Sequence, residues 1–552
     1  MEVLQSKVIF PTRGETGEFF TANHLTEEEQ MISQMVSQFV DEDILPYLEQ
    51  IEQHDYHLIR ELFKAAGELG LMGVEVPEDY GGLELGKKMS GIIAEKMGYA
   101  ASFSVAFNIH SGVGLLPYVY YGTDEQKQTF IPKLVSGEWI GAYALTEPNA
   151  GSDALAARTK ATWDDAKQSW ILNGEKQWIT NAHIAQVFVV FANTDEGMTA
   201  FIVTRDQEGV SIGPEEKKLG IKGSSTATLI LDGVTVPSEH ILGTVGKGHY
   251  IALNILNVAR LKLAFSNIGM AKQAFELAIQ YGKEREQFST KLVDFPLIQE
   301  KIAEMAIDIY GAESMAYYTA GLLEQVTDPN NLSNYAMDCA MNKVACSEML
   351  HHVVDEALQI HGGYGFMEEY AISRMYRDAR INRIFEGTNE INRLTIVKAF
   401  FKRYQQKERI EKVEGSERQS QFINASIHIL NKILEEMPIM DRSAQDKHQD
   451  QLRVLADLLT DIYRMKAVFY RAQYDKSPDS IHQWMTTAIC EQGFQRVVTA
   501  SNELIAALEI EDNVREELFI AVKNIDIPMF HNLFLIKRKI AKYMIAIGKY
   551  KT

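Results

Sequence analysis

The sequence predicts an α+β protein, mostly α, and three observations predict it. Only 13 of 552 residues are proline, about half the usual ~5%, so helix breakers are scarce. Apolar residues recur at helical spacing before residue 140 and after residue 248, and short β-type runs fill the interval. A content of 46% hydrophobic and 24% charged residues lies near the globular average, which excludes wholesale disorder and fibrous repeats. At roughly 100–200 residues per domain, the length implies about three or four domains.

Residues 1–138 read as an N-terminal helical domain. The segment LTEEEQMISQMVSQFVDEDILP opens with Thr26 followed three positions on by Glu29, a capping box, and closes before Pro46. Gly112-Val113-Gly114 imitates a dinucleotide loop, but no strand precedes it and the third glycine is missing, so helix packing is expected there. Residues 139–248 read as a middle β domain from the runs WILNG, QVFVVFAN, TAFIVT and ATLILDGVTVP, separated by Gly, Asn and Asp. Residues 249–401 carry long apolar periods, with two of the segments near 296–325 and 334–361, and predict a four-helix bundle. Lys402–Gln421 is polar and reads as a linker or a solvated helix. Beyond it only helical patterns occur, so 402–552 adds a further helical domain.

Lys and Arg number 55 against 75 Asp and Glu, a net charge of −20. That average field repels nucleic acid and anionic membranes, so a polyanionic ligand needs a local cationic patch. Three scattered cysteines, Cys339, Cys346 and Cys490, make neither a disulfide framework nor a four-ligand zinc site. With no secretory apolar stretch near the N-terminus, a cytoplasmic protein is expected. The spacing of His351 and His352 from Asp355 and Glu356 does not put both imidazoles on one helical face, and no metal is predicted.

Three clusters carry the chemistry. Ala144-Leu145-Thr146-Glu147-Pro148-Asn149-Ala150-Gly151-Ser152-Asp153 runs from a strand into a loop of small residues. Such a loop lets backbone approach a flat ring or a phosphate, or simply joins two domains. Asn173-Gly174-Glu175-Lys176-Gln177-Trp178-Ile179-Thr180-Asn181 places Trp178 and Thr180 on one face of a strand. Indole and hydroxyl together suit an aromatic heterocycle, although a lone Trp in a strand is more often core. Arg383-Ile384-Phe385-Glu386-Gly387-Thr388-Asn389-Glu390-Ile391 sets a carboxylate among apolar neighbours, which raises its pKa towards that of a general base. The plainer alternative is that Glu386 caps the helix that follows.

Together with Lys218-Leu219-Gly220-Ile221-Lys222-Gly223-Ser224, Arg285-Glu286-Gln287-Phe288 and Gln359-Ile360-His361-Gly362-Gly363-Tyr364-Gly365-Phe366, these clusters resemble the acyl-CoA dehydrogenase family of flavoproteins, from about Leu25 to Phe400. The resemblance implies the family's three-domain fold, with FAD bound between the β domain and the bundle. By resemblance Leu145, Thr146 and Ser152 line the flavin, Trp178 packs on it and Thr180 bonds near its reactive nitrogen. Arg285, Phe288, Gln359, Gly362 and Gly363 would reach the FAD of a neighbouring subunit, which implies a homodimer; Thr388 and Glu390 would add contacts.

Glu386 matches the family's catalytic base, and Ser152, Arg260 and Gly387 lie with it on the substrate side. Some branches keep the base on an earlier helix immediately before an arginine; here that position is Ala259, which cannot take a proton. The implied reaction is dehydrogenation of an acyl-CoA to its trans-2-enoyl-CoA, with electrons passed to an electron-transfer flavoprotein. Rival readings are an acyl-CoA oxidase on the same scaffold and a non-catalytic assembly protein. The C-terminal extension resembles that of the very-long-chain branch and implies long acyl chains. In its last segment Leu533, Ile536, Ile540, Tyr543, Met544 and Ile547 form one apolar face beside several lysines. That helix is expected to dock on its own domain, the alternative being peripheral contact with the inner face of a membrane.

Overall fold

The computed structural model describes residues 8–10, 21–437, 447–473 and 480–552. The N-terminal stretch read for a leader lies, apart from Val8–Phe10, outside them. The first domain holds α1 (Glu27–Phe39), α2 (Tyr56–Glu68), α3 (Gly86–Met97), α4 (Ala101–Ile109) and α5 (Asp124–Val135). Helix α1 starts where the capping box places it. Thr26 Oγ1 accepts from the Glu29 backbone N–H at 3.1 Å, and Glu29 Oε2 accepts from that of Thr26 at 2.8 Å. The Gly-Val-Gly segment forms part of a wide helical turn, His110–Gly114. A Cβ on Gly141 would meet the Gly114 carbonyl oxygen at 2.6 Å, so that segment serves close backbone packing between the first two domains.

The middle domain is one sheet built from β1 (Gly141–Ala144), β2 (Lys160–Asp164), β3 (Ser169–Thr180), β4 (Val187–Thr194), β5 (Gly197–Thr204), β6 (Val210–Ile212), β7 (Thr226–Pro237) and β8 (Ile241–Leu242). Its order is β6-β7-β3-β2-β4-β5-β8, with β1 added parallel to β4. Strand β4 is buried from Val187 to Ala192, which explains its unbroken apolar run. The β3–β7 register slips between Lys176 and Ile179, and Trp178 in the slip has φ 57°. A bulge of this kind re-aims side chains at a functional edge.

The bundle consists of α6 (Gly248–Glu284), α7 (Pro296–Glu324), α8 (Ala336–His361) and, after the short α9 (Ala371–Ala379), α10 (Asn389–Gln405). Helix α6 packs along α8 and against α3 of the first domain. The extension contributes α11 (Arg418–Glu436), α12 (Gln449–Ala472), α13 (Ile481–Ala507), α14 (Asp512–Lys523) and α15 (Leu533–Ile547). The polar stretch 402–421 is neither a free linker nor a solvated helix. Helix α10 runs into it, Arg409–Ile410 pairs in parallel with Val8–Ile9, and Ile410 and Val413 are buried.

Helix α15 docks on α7 and α13. Of its predicted apolar face, Ile540 and Met544 are buried, Leu533, Ile536 and Tyr543 half-buried and Ile547 exposed. Lys537 closes the contact by pairing with Glu304 at 2.5 Å and Glu300 at 3.5 Å. Among the described residues no helix is long and apolar enough to cross a membrane.

Charges are buried where the extension meets the first three domains. Glu313 of α7 accepts from Arg471 of α12 at 2.6 Å, from Tyr550 Oη at 3.2 Å and from Lys272 of α6. Lys272 also pairs with Glu95 of α3 at 2.6 Å. Four helices are tied together by one alternating set of charges.

Candidate active site

The Glu386 side chain stands on a turn between the end of α9 and α10. Glu386 and Gly387 both have positive φ, 57° and 82°, a conformation that a glycine adopts freely and a glutamate only under constraint. The constraint is visible. Arg260 Nε donates to the Glu386 carbonyl at 3.1 Å, while Asn392 Nδ2 donates to that of Gly387 at 2.7 Å and that of Thr388 at 3.1 Å. The following helix is capped by Thr388, whose Oγ1 accepts from the Ile391 N–H at 3.3 Å. Glu386 is therefore not the cap, and its carboxylate is left for other use.

That carboxylate faces a cavity with about 660 Å³ of empty space, part of it open to solvent. Two helix faces form the walls. Helix α4 offers Ala101, Ser104, Val105 and Asn108, and α6 offers Ala259, Leu263, Ser266, Asn267 and Met270, each set spaced as one side of a helix. From Ala259 to Met270 the α6 wall extends roughly 16 Å. Ala259, the empty alternative position for a base, lies beside Glu386 on the same cavity. The segment Lys218–Ser224 closes another side: Ile221 lines the cavity and its N–H donates to Asp378 of α9. Polar groups interrupt the walls, among them the Ser104–Ser266 hydroxyl pair at 3.0 Å and the buried Nδ2 of Asn267, which has no partner among the described residues.

Glu386 Oε2 is buried and has no hydrogen-bond partner among the described residues. Burial raises the carboxyl above the ordinary range, and Arg260 and Lys343 pull it back. A carboxylate poised upward, unpartnered and facing a cavity is the state expected of a proton acceptor. Arg260 itself is buried and bonded to the Glu386 carbonyl and, at 2.9 Å, to Asn257 Oδ1. Among the described residues it makes no ion pair, and its bond to the Glu386 carbonyl braces the turn.

The first two sequence clusters meet. Gln177 donates its N–H to the Thr146 carbonyl at 2.9 Å. Lys176, fully buried, reaches Glu147 at 2.7 Å and the Leu145 carbonyl at 3.2 Å. This pair was missed in the sequence reading, although a lysine and a glutamate inside two otherwise small or apolar motifs were the signal. Trp178 is 57% exposed while Ile179 is buried and Thr180 half-buried. The indole is thus not core; it stands open at the bulge, where the regular alternation expected to align it with Thr180 is interrupted, and an open ring face suits a flat heterocycle. Ser152 lies exposed in the adjoining loop.

Arg285, Phe288, Gln359, Gly362 and Gly363 are all exposed, around the C-terminal ends of α6 and α8. The Arg285 guanidinium lies 5.8 Å from the centre of the Tyr364 ring. A Cβ on Gly362 or Gly363 would meet nothing within 4 Å, so backbone there is open to a ligand. Glu390 is exposed on the first turn of α10. The exposed guanidinium and bare glycine backbone suit phosphates, and separately the open indole of Trp178 suits a ring system. Away from the site, His352 pairs with Asp308 at 2.8 Å, and among the described residues no group of three or more His, Cys, Asp or Glu converges as metal ligands would.

A helical domain, a β domain and a bundle with a buried carboxylate between them define a class of oxidoreductase, and comparison with known proteins gives the family. The sequence matches the N-terminal domain of acyl-CoA dehydrogenase over residues 26–138, the middle domain over 142–234 and the C-terminal domain over 246–401. It is 41% identical over 538 residues to a probable acyl-CoA dehydrogenase of Bacillus subtilis, covering 90% of each chain. It is 40% identical over 340 residues to the mitochondrial very long-chain specific acyl-CoA dehydrogenase of Macaca fascicularis, covering 60% of this chain and 51% of that one. An acyl-CoA dehydrogenase of Bacillus anthracis, solved as a crystal structure in complex with FAD, superposes with a TM-score of 0.92 at 39% identity, over 99% of this chain and 100% of the other. The chain belongs to the acyl-CoA dehydrogenase family, with a helical extension after its third domain.

Proposed function

We propose that this protein dehydrogenates long-chain fatty acyl-CoA thioesters to trans-2-enoyl-CoA, with Glu386 as the base that removes the α-proton. The observation that carries the reading is the unpartnered, buried Glu386 Oε2 facing a cavity between α4 and α6. FAD, when bound, would supply the acceptor for the β-hydrogen. Everything else is the work of this chain. Leu145, Thr146 and Ser152 would line the flavin, Trp178 would cover a face of its ring system and Thr180 would supply a hydrogen bond. Arg285, Phe288, Gln359, Gly362 and Gly363 reach the flavin of a second copy in a homodimer, and Thr388 and Glu390 add contacts near the base. The exposure of Phe288 and Phe366, at 92% and 79%, supports burial of that edge against another subunit.

On the substrate side, Ser152 and Gly387 flank the thioester and Arg260 acts by fixing the turn that holds Glu386. The Glu386 N–H is the chain's own donor to the thioester carbonyl, where negative charge gathers as the α-proton leaves. The length of the α6 wall and the extension after residue 401 support long chains. The electron acceptor is proposed to be an electron-transfer flavoprotein.

An anaerobic titration tests this reading. Purified protein is expected to be yellow, and saturated acyl-CoAs are expected to bleach the flavin band, with the bleaching rate rising with chain length. Protein that binds flavin but is not bleached by any saturated acyl-CoA would reject the reaction; a maximum at short chains would reject only the chain length. Peroxide released at each turnover in air would replace the flavoprotein acceptor with oxygen.

A further inference from the structure

The turn that carries Glu386 is clamped by a second buried cation. Lys343, on α8, is wholly buried, and its Nζ donates to the Gly387 carbonyl at 2.8 Å and to Asn389 Oδ1 at 2.7 Å. With Arg260 on the Glu386 carbonyl, two consecutive carbonyls of a left-handed pair each accept from a cation on a different helix. Both acceptors of Lys343 are neutral oxygens. Among the described residues no carboxylate pairs directly with this ammonium, and when it is protonated its charge acts through space on the nearest carboxylate in a poorly solvated interior.

We propose that Lys343 is a positioning residue for the reaction: its ammonium fixes the Gly387 carbonyl and, by its charge, keeps Glu386 ionised when substrate shuts water out of the cavity. The inference rests on the reading of Glu386 as the base. The need for such a charge follows from desolvation. A carboxylate facing an apolar chain tends to take a proton from solvent, and a protonated Glu386 accepts nothing from the substrate. A cation behind the turn opposes this without occupying the carboxylate, which a direct ion pair would do.

The other groups around the pair leave this role to Lys343 and Arg260. Tyr143 of β1 faces Glu386, and Cys339 of α8 faces Arg260; burial raises both and holds both neutral. Glu348 of α8 and Glu390 of α10 face Lys343. Glu348 is occupied by Arg393 at 2.8 Å and by Asn389 Nδ2 at 3.1 Å, and Glu390 is exposed to water. Burial lowers Lys343 to about 7 against the pull of Glu386, so its charge is present on the acid side, where the base needs it.

The experiment follows anaerobic flavin reduction by a saturated acyl-CoA as a function of pH, in wild-type holoprotein and in Lys343→Met, Lys343→Gln and Lys343→Arg, with Glu386→Gln alongside. Lys343→Met and Lys343→Gln are expected to move the acidic midpoint of the rate upward by on the order of one pH unit, a tenfold loss on the acid limb. Lys343→Arg is expected to restore the wild-type midpoint. A midpoint that stays put in both neutral variants overturns the inference even if rate or flavin content falls, because a lysine that only props the turn would do that. If both neutral variants lose their flavin, Lys343→Arg is read alone, and an upward shift there overturns the inference. Should Glu386→Gln still be bleached, the base assignment fails and the inference falls with it. Should Glu386→Gln be inert while the Lys343 variants keep the wild-type midpoint, the inference alone fails.

Discussion

Glu386→Gln is expected to retain flavin and lose bleaching by saturated acyl-CoA by about 10²–10⁴-fold, the usual share of a general base. The amide fills the same space and leaves the backbone clamps from Arg260 and Asn392 untouched. Folding is not expected to suffer. A carboxyl raised by burial weakens the fold as pH rises above its unfolded value, so a neutral amide removes a cost at neutral pH. In the wild type the same upward shift means that the rate should fall as pH drops through the raised pKa, when Glu386 gains its proton before substrate arrives. Stopped-flow spectra of both proteins over the acid range give the rate, and their absorbance before mixing gives flavin content. A Glu386→Gln protein reduced at wild-type speed would dismiss Glu386 from the chemistry.

Glu313→Ala is expected to be the most damaging change to stability, at about 3–5 kcal/mol, because removing one member of a buried ion pair strands its partners. The groups that lose a partner are Arg471, which among the described residues pairs with no other carboxylate, and the Tyr550 hydroxyl, while Lys272 is left with Glu95 alone. Burial would raise the Glu313 carboxyl, but Arg471 and Lys272 more than offset it and bring it to about 2. With the folded pKa below the ordinary 4.5, the stabilisation is complete above that value and is lost as pH falls towards about 2. Urea unfolding of wild type and variant should therefore converge in acid and differ most near neutrality. An equal difference at every pH would mean that cavity formation, not charge, is the cause.

Features set by local chemistry were legible in the sequence. Thr26 and Glu29 announced the start of α1, and the bundle periods expected near 296–325 and 334–361 appear as Pro296–Glu324 and Ala336–His361. Glu386 stood out as a candidate base from its apolar neighbours in the chain, whereas the cavity that it lines is built by α4 and α6, far away in sequence. Other features depended on distant partners. The bulge at Trp178 arises from register against β7, and register is a property of two strands. Lys343 sits in the apolar run MNKVAC, where a lone lysine was a signal, but its bond to Gly387 spans 44 residues. The polar composition of 402–421 concealed a pairing whose other half lies near the N-terminus.

That pairing bears on how the molecule is made. Val8–Ile9 lies beside Arg409–Ile410, the Phe10 carbonyl accepts from the buried Lys466 of α12 at 3.0 Å, and Phe10 stacks edge-on against Tyr463. The earliest segment described is thus seated by segments made about 400 residues or more later. It must wait through synthesis of more than 400 residues with Val8, Ile9 and Phe10 uncovered, and a nascent chain stopped at residue 401 would present a sticky end. Release of α12 is then the event that lets Val8–Phe10 be covered.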